Sequence, residues 1–301
     1  MAAAALTLRA HAKINLDLRV VGLLPDGYHE VRTVLQSLRL HDTLTFEPVD
    51  GPFVITCDDP AIPVDDRNLI WRAADVLCHA ASAQRRGPSG VRVRVTKRIP
   101  AQAGLGGGSA DAAATLLALT RLWQLRFDIV DLVRLGARLG ADVPFFLAGG
   151  TALGTGRGDD VSPLTEPDAS AVVLVTPPFG IATPDTYRWF DLDGRPGRRP
   201  RPRNPALPTW PPWAAELRND LEPPVVRRHP AIGRLVRSLK VLGADYAAMS
   251  GSGSAVFGVF LDREVAAGAQ AALVRRGHAA HLTGTLGRDA VSRQRHQILS
   301  P

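Results

Sequence analysis

Pro100-Ala101-Gln102-Ala103-Gly104-Leu105-Gly106-Gly107-Gly108-Ser109-Ala110-Asp111-Ala112-Ala113 joins a strand to a helix through four glycines. Upstream, Val91-Arg92-Val93-Arg94-Val95 alternates apolar and polar residues, the period of a half-buried strand. Downstream, Ala112, Leu116, Leu119 and Trp123 recur on one side of a helix and predict an amphipathic one. Ser109 stands where an N-cap is expected, with Asp111 in the first turn. A helix start leaves backbone N–H groups unpaired and carries partial positive charge, so it favours an anion. Glycine lets the chain take positive φ and approach a ligand with no Cβ in the way. One or two glycines would turn a corner; four in five positions point to a phosphate cradle.

The cradle is neither of the two commonest nucleotide motifs. No lysine follows Gly108, as a Walker A loop requires, and Ser109 occupies the sixth position where the dinucleotide fingerprint needs glycine. Asp-Phe-Gly and His-Arg-Asp are also missing, which excludes the protein-kinase set. A different nucleotide-binding class is indicated.

Length and charge narrow the reading. A chain of 301 residues can bury a sizeable core and is expected to form two domains, 1–165 and 166–301. No apolar run approaches the roughly 18 residues of a membrane span. Cys57 and Cys78 are isolated, with no metal-ligand spacing, and a reduced cytoplasmic compartment is expected. The net charge of +7 invites a nucleic-acid partner, but Arg195, Arg198, Arg199, Arg201 and Arg203 supply five of those charges from one Pro/Arg tract. No nucleic acid is therefore expected, and the tract at about 191–213 reads as a mobile surface segment. Only three of the 36 basic residues are lysine: Lys13, Lys97 and Lys240. The first two stand beside other polar residues of interest.

Leu6 to Val21 reads as a strand with Lys13, Asn15, Asp17 and Arg19 on one face and Ala12, Ile14, Leu16 and Leu18 on the other. Pro25-Asp26-Gly27 is a turn that delivers Tyr28 and His29. Asn68 starts a helix, and a second runs from Asp128 to Leu139 with Gly140 as a left-handed stop. Asp142 follows, ahead of Val143-Pro144, which is expected to leave the helix. The second half opens on the apolar strand 171–175 and carries another glycine-rich turn, Met249-Ser250-Gly251-Ser252-Gly253-Ser254. A helix near 263–276 and a strand near 279–284 finish the core. Strands mixed with paired helices, in no steady alternation, argue for α+β.

Three segments together resemble the GHMP kinase superfamily: the strand around Lys13, Pro100 to Ala113, and Met249 to Ser254. Ala12-Lys13-Ile14-Asn15-Leu16, Asp26-Gly27-Tyr28-His29 and Leu139-Gly140-Ala141-Asp142-Val143-Pro144 are similar to the branch that acts on a cytidine-diphosphate sugar alcohol. Arg67-Asn68-Leu69-Ile70 and Asn219-Asp220-Leu221-Glu222 add to that likeness. The resemblance implies an S5-like N-terminal domain and a ferredoxin-like C-terminal domain, with the active site in the cleft between them. It implies transfer of the γ-phosphoryl group of ATP to the 2-hydroxyl of the sugar alcohol, in the non-mevalonate route to isoprenoid precursors. Pro100 to Ala110 would hold the ATP phosphates, with Asn68 and Lys97 near the adenosine. Asp142 would accept the proton of the attacking hydroxyl and Lys13 would hold Asp142 ionised. Asn15 would contact the substrate, while Tyr28, His29 and Tyr187 would recognise cytosine. Mg2+ would bridge the phosphates; Ser109 is the one protein oxygen suggested for it.

From the residues alone, other readings stay open. Lys13 and Asn15 could form a solvated strand face, and Asp142 could be a turn aspartate. A homoserine or mevalonate kinase would share the loop, though Tyr28-His29 would then have no base to meet. A basic nucleic-acid-binding protein with an S5-like domain is the non-enzyme alternative. The residues indicate no oligomeric state. In one departure from the family, Ala110 stands where many relatives carry a second serine.

Overall fold

The computed structural model describes residues 5–81, 90–193 and 216–299. The Pro/Arg tract and its expected mobility lie outside the described residues, apart from the helical residues at its start. Strands β1 (Leu6–Leu23) and β2 (His29–Pro48) pair antiparallel over a turn in which Gly27 has φ 85° and Tyr28 N–H donates to Asp26 Oδ1 at 3.1 Å. Aspartate and glycine supply the two things this turn needs, an early acceptor and a left-handed residue. β2 also pairs with β4 (Val91–Thr96) and β5 (Thr151–Thr155), while β3 (Val54–Cys57) and β6 (Asp160–Pro163) close the ends of a six-stranded sheet. A second, antiparallel sheet has the order β10-β7-β9-β8, from Ala279–Gly284, Ala171–Thr176, Val256–Phe260 and Tyr246–Met249. Helices pack against both sheets, so the α+β class holds.

The first strand does not keep strict alternation. Register shifts fall between His11 and Lys13, Asn15 and Asp17, and Val20 and Gly22. A bulge re-aims the side chains that follow it. Lys13 turns toward Asp142 and holds Asn15 Oδ1, whereas Asp17 pairs with Arg19 at 2.9 Å and accepts from Arg218 N–H at 3.0 Å. The expected single face is thus divided. It is not solvated either: Lys13, Asn15 and Asp17 are all buried.

Helix α2 (Gly107–Leu122) also departs from its expected amphipathic form. Every residue from Ala110 to Thr120 is buried, because α1 (Leu69–Ala81), α3 (Ile129–Leu139), α4 (Val143–Ala148), α9 (Arg288–Leu299) and the β1/β2 sheet pack around it. Its small residues, Ala110, Ala112, Ala113, Ala114 and Ala118, permit that close approach on every side. α9 was not evident from the sequence, since only Ile298 of its residues is buried. It returns to the first sheet, where Gln294 donates to Arg9 O and accepts from Arg9 N–H.

Between the two sheets lies a shared apolar layer. Ala12, Ile14, Leu38, Ile99 and Leu105 from the first half meet Val172, Leu174, Ala255, Phe257 and Val259 from the second. Polar seams flank it: Leu18 and Asn219 form a bridge, and Leu286 N–H donates to Ser37 O at 2.8 Å.

One half-buried histidine makes stability pH-dependent. His11 stacks obliquely on His41 at 5.2 Å, and its Nδ1 lies 3.1 Å from Leu38 O. Burial, with the His41 charge second, pushes its pKa from 6.5 down to about 4. Between those values the unfolded chain binds a proton that the native state refuses, so stability falls as the pH drops from 6.5 to about 4. The total loss is about 3 kcal/mol. Urea midpoints of the wild type across that range should decline, and His11→Asn should flatten the decline. An unchanged slope in the variant would assign the effect elsewhere.

Candidate active site

The phosphate loop is shaped by two glycine positions. Gly104 and Gly106 both have φ 74°, in the left-handed region that favours glycine. A Cβ on Gly104 would sit 2.1 Å from Ser250 O, and one on Gly106 would sit 2.5 Å from the Phe146 ring. Gly106, not Ser109, is the N-cap of α2, and no side chain caps that end. Ala110 N–H donates to Gly106 O at 2.9 Å, which leaves the amides of Gly107, Gly108 and Ser109 without helical acceptors. Ser109 therefore sits inside the first turn. The orphan amides and the helix dipole face the same way, and together they make an anion site.

Lys13 lies directly beside this loop. Its backbone N–H donates to Leu105 O at 3.0 Å, and its Cγ would be 3.2 Å from a Gly106 Cβ. Its buried ammonium donates to Asn15 Oδ1 at 2.7 Å and pairs with Asp142 Oδ2 at 3.3 Å. Asn15 Nδ2 in turn donates to Thr33 Oγ1 at 2.7 Å. A buried ammonium needs such partners, since desolvation without them is costly.

Asp142 is delivered by a sharp α3–α4 corner. Asp128 caps the start of α3 through Asp131 N–H, and Gly140 ends it in extended backbone at φ 174°, not in the expected left-handed form. Val143-Pro144 does not leave helical structure: it begins α4, because proline suits the first turn of a helix. A Cβ on Gly136 would come within 2.9 Å of Val143, so that glycine lets the two helices close. Asp142 is the N-cap residue of α4, yet its carboxylate makes no capping hydrogen bond. Asp142 lies in the turn, but its carboxylate does not cap the helix. Its side chain is 36% exposed and turns to Lys13 instead.

The second glycine-rich turn completes the loop from the other half. Ser250 Oγ donates to Gly104 O at 3.0 Å, and Ala255 N–H donates to Ala103 O at 3.1 Å. Gly251 has φ 55°, and a Cβ there would lie 3.0 Å from Asn15 Oδ1. Asn219 Nδ2 donates to Met249 O and Gly251 O, both at 2.8 Å, while Glu222 Oε2 accepts from Met249 N–H at 2.7 Å. Asn219-Asp220-Leu221-Glu222 is therefore the clamp on this turn, a role its sequence did not disclose. Ser252 also meets Thr183 Oγ1 at 2.9 Å.

Helix α5 (Thr183–Leu192) brings the third group of candidates together. The rings of His29 and Tyr187 stack at 4.7 Å, and Phe190 meets His29 edge-on. Burial pushes the Tyr187 hydroxyl pKa far up, and the Asp142 charge adds to it. Tyr28 is 61% exposed, and its ring lies under the Arg157 guanidinium at 5.4 Å. Asp191, which the sequence did not single out, receives a hydrogen bond from His29 Nε2 at 2.9 Å.

Asn68 and Lys97 already have protein partners. Asn68 Oδ1 caps α1 through Ile70 N–H at 2.9 Å, and its Nδ2 donates to Pro63 O. Lys97 Nζ pairs with Asp42 and, at 2.8 Å, with Asp111. Burial pushes the Asp111 carboxyl pKa up against the pull of Lys97, and its Oδ1 has no partner. The Lys97 ammonium lies 3.4 Å from where a Gly107 Cβ would stand, beneath the start of α2. Among the described residues, no group of three or more His, Cys, Asp or Glu side chains could hold a metal ion. None of the described helices is long and apolar enough to cross a membrane.

A glycine cradle, a buried lysine–aspartate pair and a second glycine turn now converge from both halves. The description "GHMP kinases N terminal domain" matches residues 68–150, and "GHMP kinases C terminal" matches 205–279. The chain belongs to the GHMP kinase family, and with it to the ATP-dependent small-molecule kinases. Within the family it is 42% identical to the 4-diphosphocytidyl-2-C-methyl-D-erythritol kinase of a Synechococcus species, covering 90% of each chain. A crystal structure of 4-(cytidine 5'-diphospho)-2C-methyl-D-erythritol kinase superposes with a TM-score of 0.76 at 36% identity, covering 94% of this chain and 100% of the other. The mevalonate kinase of Methanococcus jannaschii shares the fold alone, with a TM-score of 0.66 at 10% identity over 94% and 99% of the two chains.

Proposed function

We propose that this kinase transfers the γ-phosphoryl group of ATP to the 2-hydroxyl of 4-diphosphocytidyl-2-C-methyl-D-erythritol, in the non-mevalonate route to isoprenoid precursors. The observation that carries the proposal is the buried Lys13 ammonium, 3.3 Å from an uncapped Asp142 carboxylate beside the phosphate loop. Phosphoryl transfer depends on positioning and charge stabilisation more than on covalent chemistry. The amides of Gly107, Gly108 and Ser109 would bind the ATP phosphates. Asp142 would accept the proton of the attacking hydroxyl, while the Lys13 ammonium, 3.3 Å from the carboxylate, would offset charge on the oxygen. Asn15 would orient the acceptor. Magnesium would accompany ATP, held largely by phosphate oxygens and water, and would supply charge neutralisation there; Ser109 is the candidate oxygen of this chain. His29, Tyr187 and Tyr28 would take the cytosine, with Asn68 and Lys97 toward the adenosine.

The direct test mixes the protein with ATP, magnesium and the cytidine-diphosphate substrate and measures ADP and phosphorylated product. ADP formed with homoserine or mevalonate instead would favour the alternative readings. For the base, Tyr28→Ala or Tyr187→Ala should weaken substrate binding by about 1–3 kcal/mol, the range for base–aromatic stacking. The ATP KM should hardly move. Tyr28 is the cleaner site because its exposed ring leaves no buried cavity behind. An unchanged substrate KM in both variants would place the base elsewhere.

A further inference from the structure

We infer that Asp191 is a specificity-determining residue of this kinase: by fixing the tautomer of His29 it makes the site accept cytosine and refuse uracil. The inference rests on the reading of His29 as a contact to the base.

The chemistry follows from one hydrogen bond. His29 Nε2 lies 2.9 Å from Asp191 Oδ1. An ionised carboxylate has lone pairs and no proton, so Nε2 must carry the hydrogen. A neutral imidazole has one N–H, which leaves Nδ1 as a bare acceptor. Among the described residues, no hydrogen bond is made to His29 Nδ1. The ring cannot easily turn to exchange its two nitrogens. It stacks on Tyr187 at 4.7 Å and 27°, Phe190 stands edge-on at 6.2 Å, and the His29 side chain is only 12% exposed.

An acceptor facing the 4-position of the base, where this inference puts Nδ1, discriminates between pyrimidines. Cytosine presents an exocyclic N4 amine, a donor, where uracil presents O4, an acceptor. Nδ1 would pair with the amine, whereas against O4 it would set one lone pair on another. A site built around a hydrogen bond rejects an analogue that cannot make it far more strongly than a hydrophobic pocket rejects a change of size. Asp191 itself, 45% exposed on its side chain, need not touch the base to do this. It acts through the imidazole.

The test compares kcat/KM for the cytidine substrate and for the same compound carrying uridine, in the wild type and three variants. Asp191→Glu keeps a carboxylate and should keep the preference. Asp191→Ala frees the tautomer, and the cytidine-to-uridine ratio should fall by about tenfold or more. Asp191→Lys offers only donors, so Nε2 must accept and Nδ1 becomes N–H; its ratio should fall furthest. The position is exposed enough to take these changes, and melting temperature and ATP KM provide the check on folding. Equal losses on both substrates, with the ratio unchanged in Asp191→Ala and Asp191→Lys, would overturn the inference and leave Asp191 a structural prop. A wild-type enzyme that phosphorylates both substrates equally well would overturn it too, by removing the base contact. Failure of the wild type on the cytidine substrate would instead sink the proposed reaction, and the inference with it.

Discussion

Asp142→Asn should lower kcat by about 100-fold or more while leaving ATP binding intact, and Lys13→Ala should do the same. Terms of that size are typical of general-base catalysis and of charge stabilisation at a reacting oxygen. Asparagine keeps the size and polarity of the side chain but cannot accept a proton at neutral pH. Removal of the lysine takes away the positive charge 3.3 Å from Asp142 and leaves Asn15 Oδ1 without its donor at 2.7 Å. Neither change touches the amides at the start of α2, so nucleotide titration should give nearly the wild-type affinity. Single-turnover rates at saturating substrate are the measurement. Near wild-type turnover in either variant would show that the pair only supports the loop.

Gly104→Ala should be the most damaging conservative change in the loop. The residue would be forced to hold φ 74° with a Cβ placed 2.1 Å from a backbone carbonyl of the second glycine turn. Left-handed backbone costs about 1–2 kcal/mol and overpacking about 1–3 more, so a loss of roughly 2–5 kcal/mol is expected. Relief would require moving the Ser250 turn, which carries the Asn15 and Lys13 contacts with it. ATP affinity should therefore fall along with stability. Gly108→Ala is the control, since a Cβ there meets only Leu69 at 3.7 Å and lies in helical backbone. Its urea midpoint should stay level or rise slightly. Equal midpoints for the two variants would mean that the loop does not depend on the second turn.

The parts of the site that could be read from the sequence are those with local chemistry. Pro100 to Ala113 carries strand, glycines and helix in one stretch, and Asp142 follows a helix whose stripe is plain. Other features depend on register or on distant partners. The bulge after Asn15 separates Asp17 and Arg19 from Lys13, and alternation of residue type does not record a register shift. Ser109 resembles an N-cap, but Gly106 takes the position because the loop must already be left-handed there. Asn219 acts on Met249 and Gly251, about 30 residues on, and nothing in its own neighbourhood says so. α5 was obscured by the proline-rich stretch beside it, and Asp191 with it. α9 buries too little to leave a periodic signature.

The hydrogen bond from Ser250 Oγ to Gly104 O spans 146 positions of sequence, and that has a consequence for biogenesis. Chains are made from the N-terminus, and contacts between distant residues must wait for both ends. The ribosome will have finished α2 and its glycine loop long before the turn that shapes the loop exists. Ile14, Leu38 and Leu105 remain uncovered over the same interval, because Val172, Leu174 and Phe257 have yet to arrive. A nascent chain therefore has no finished nucleotide site until the turn at Ser250 has been translated. Nucleotide captured at a finished site cannot guide the folding of the first half, and its apolar face lacks its native cover during that wait.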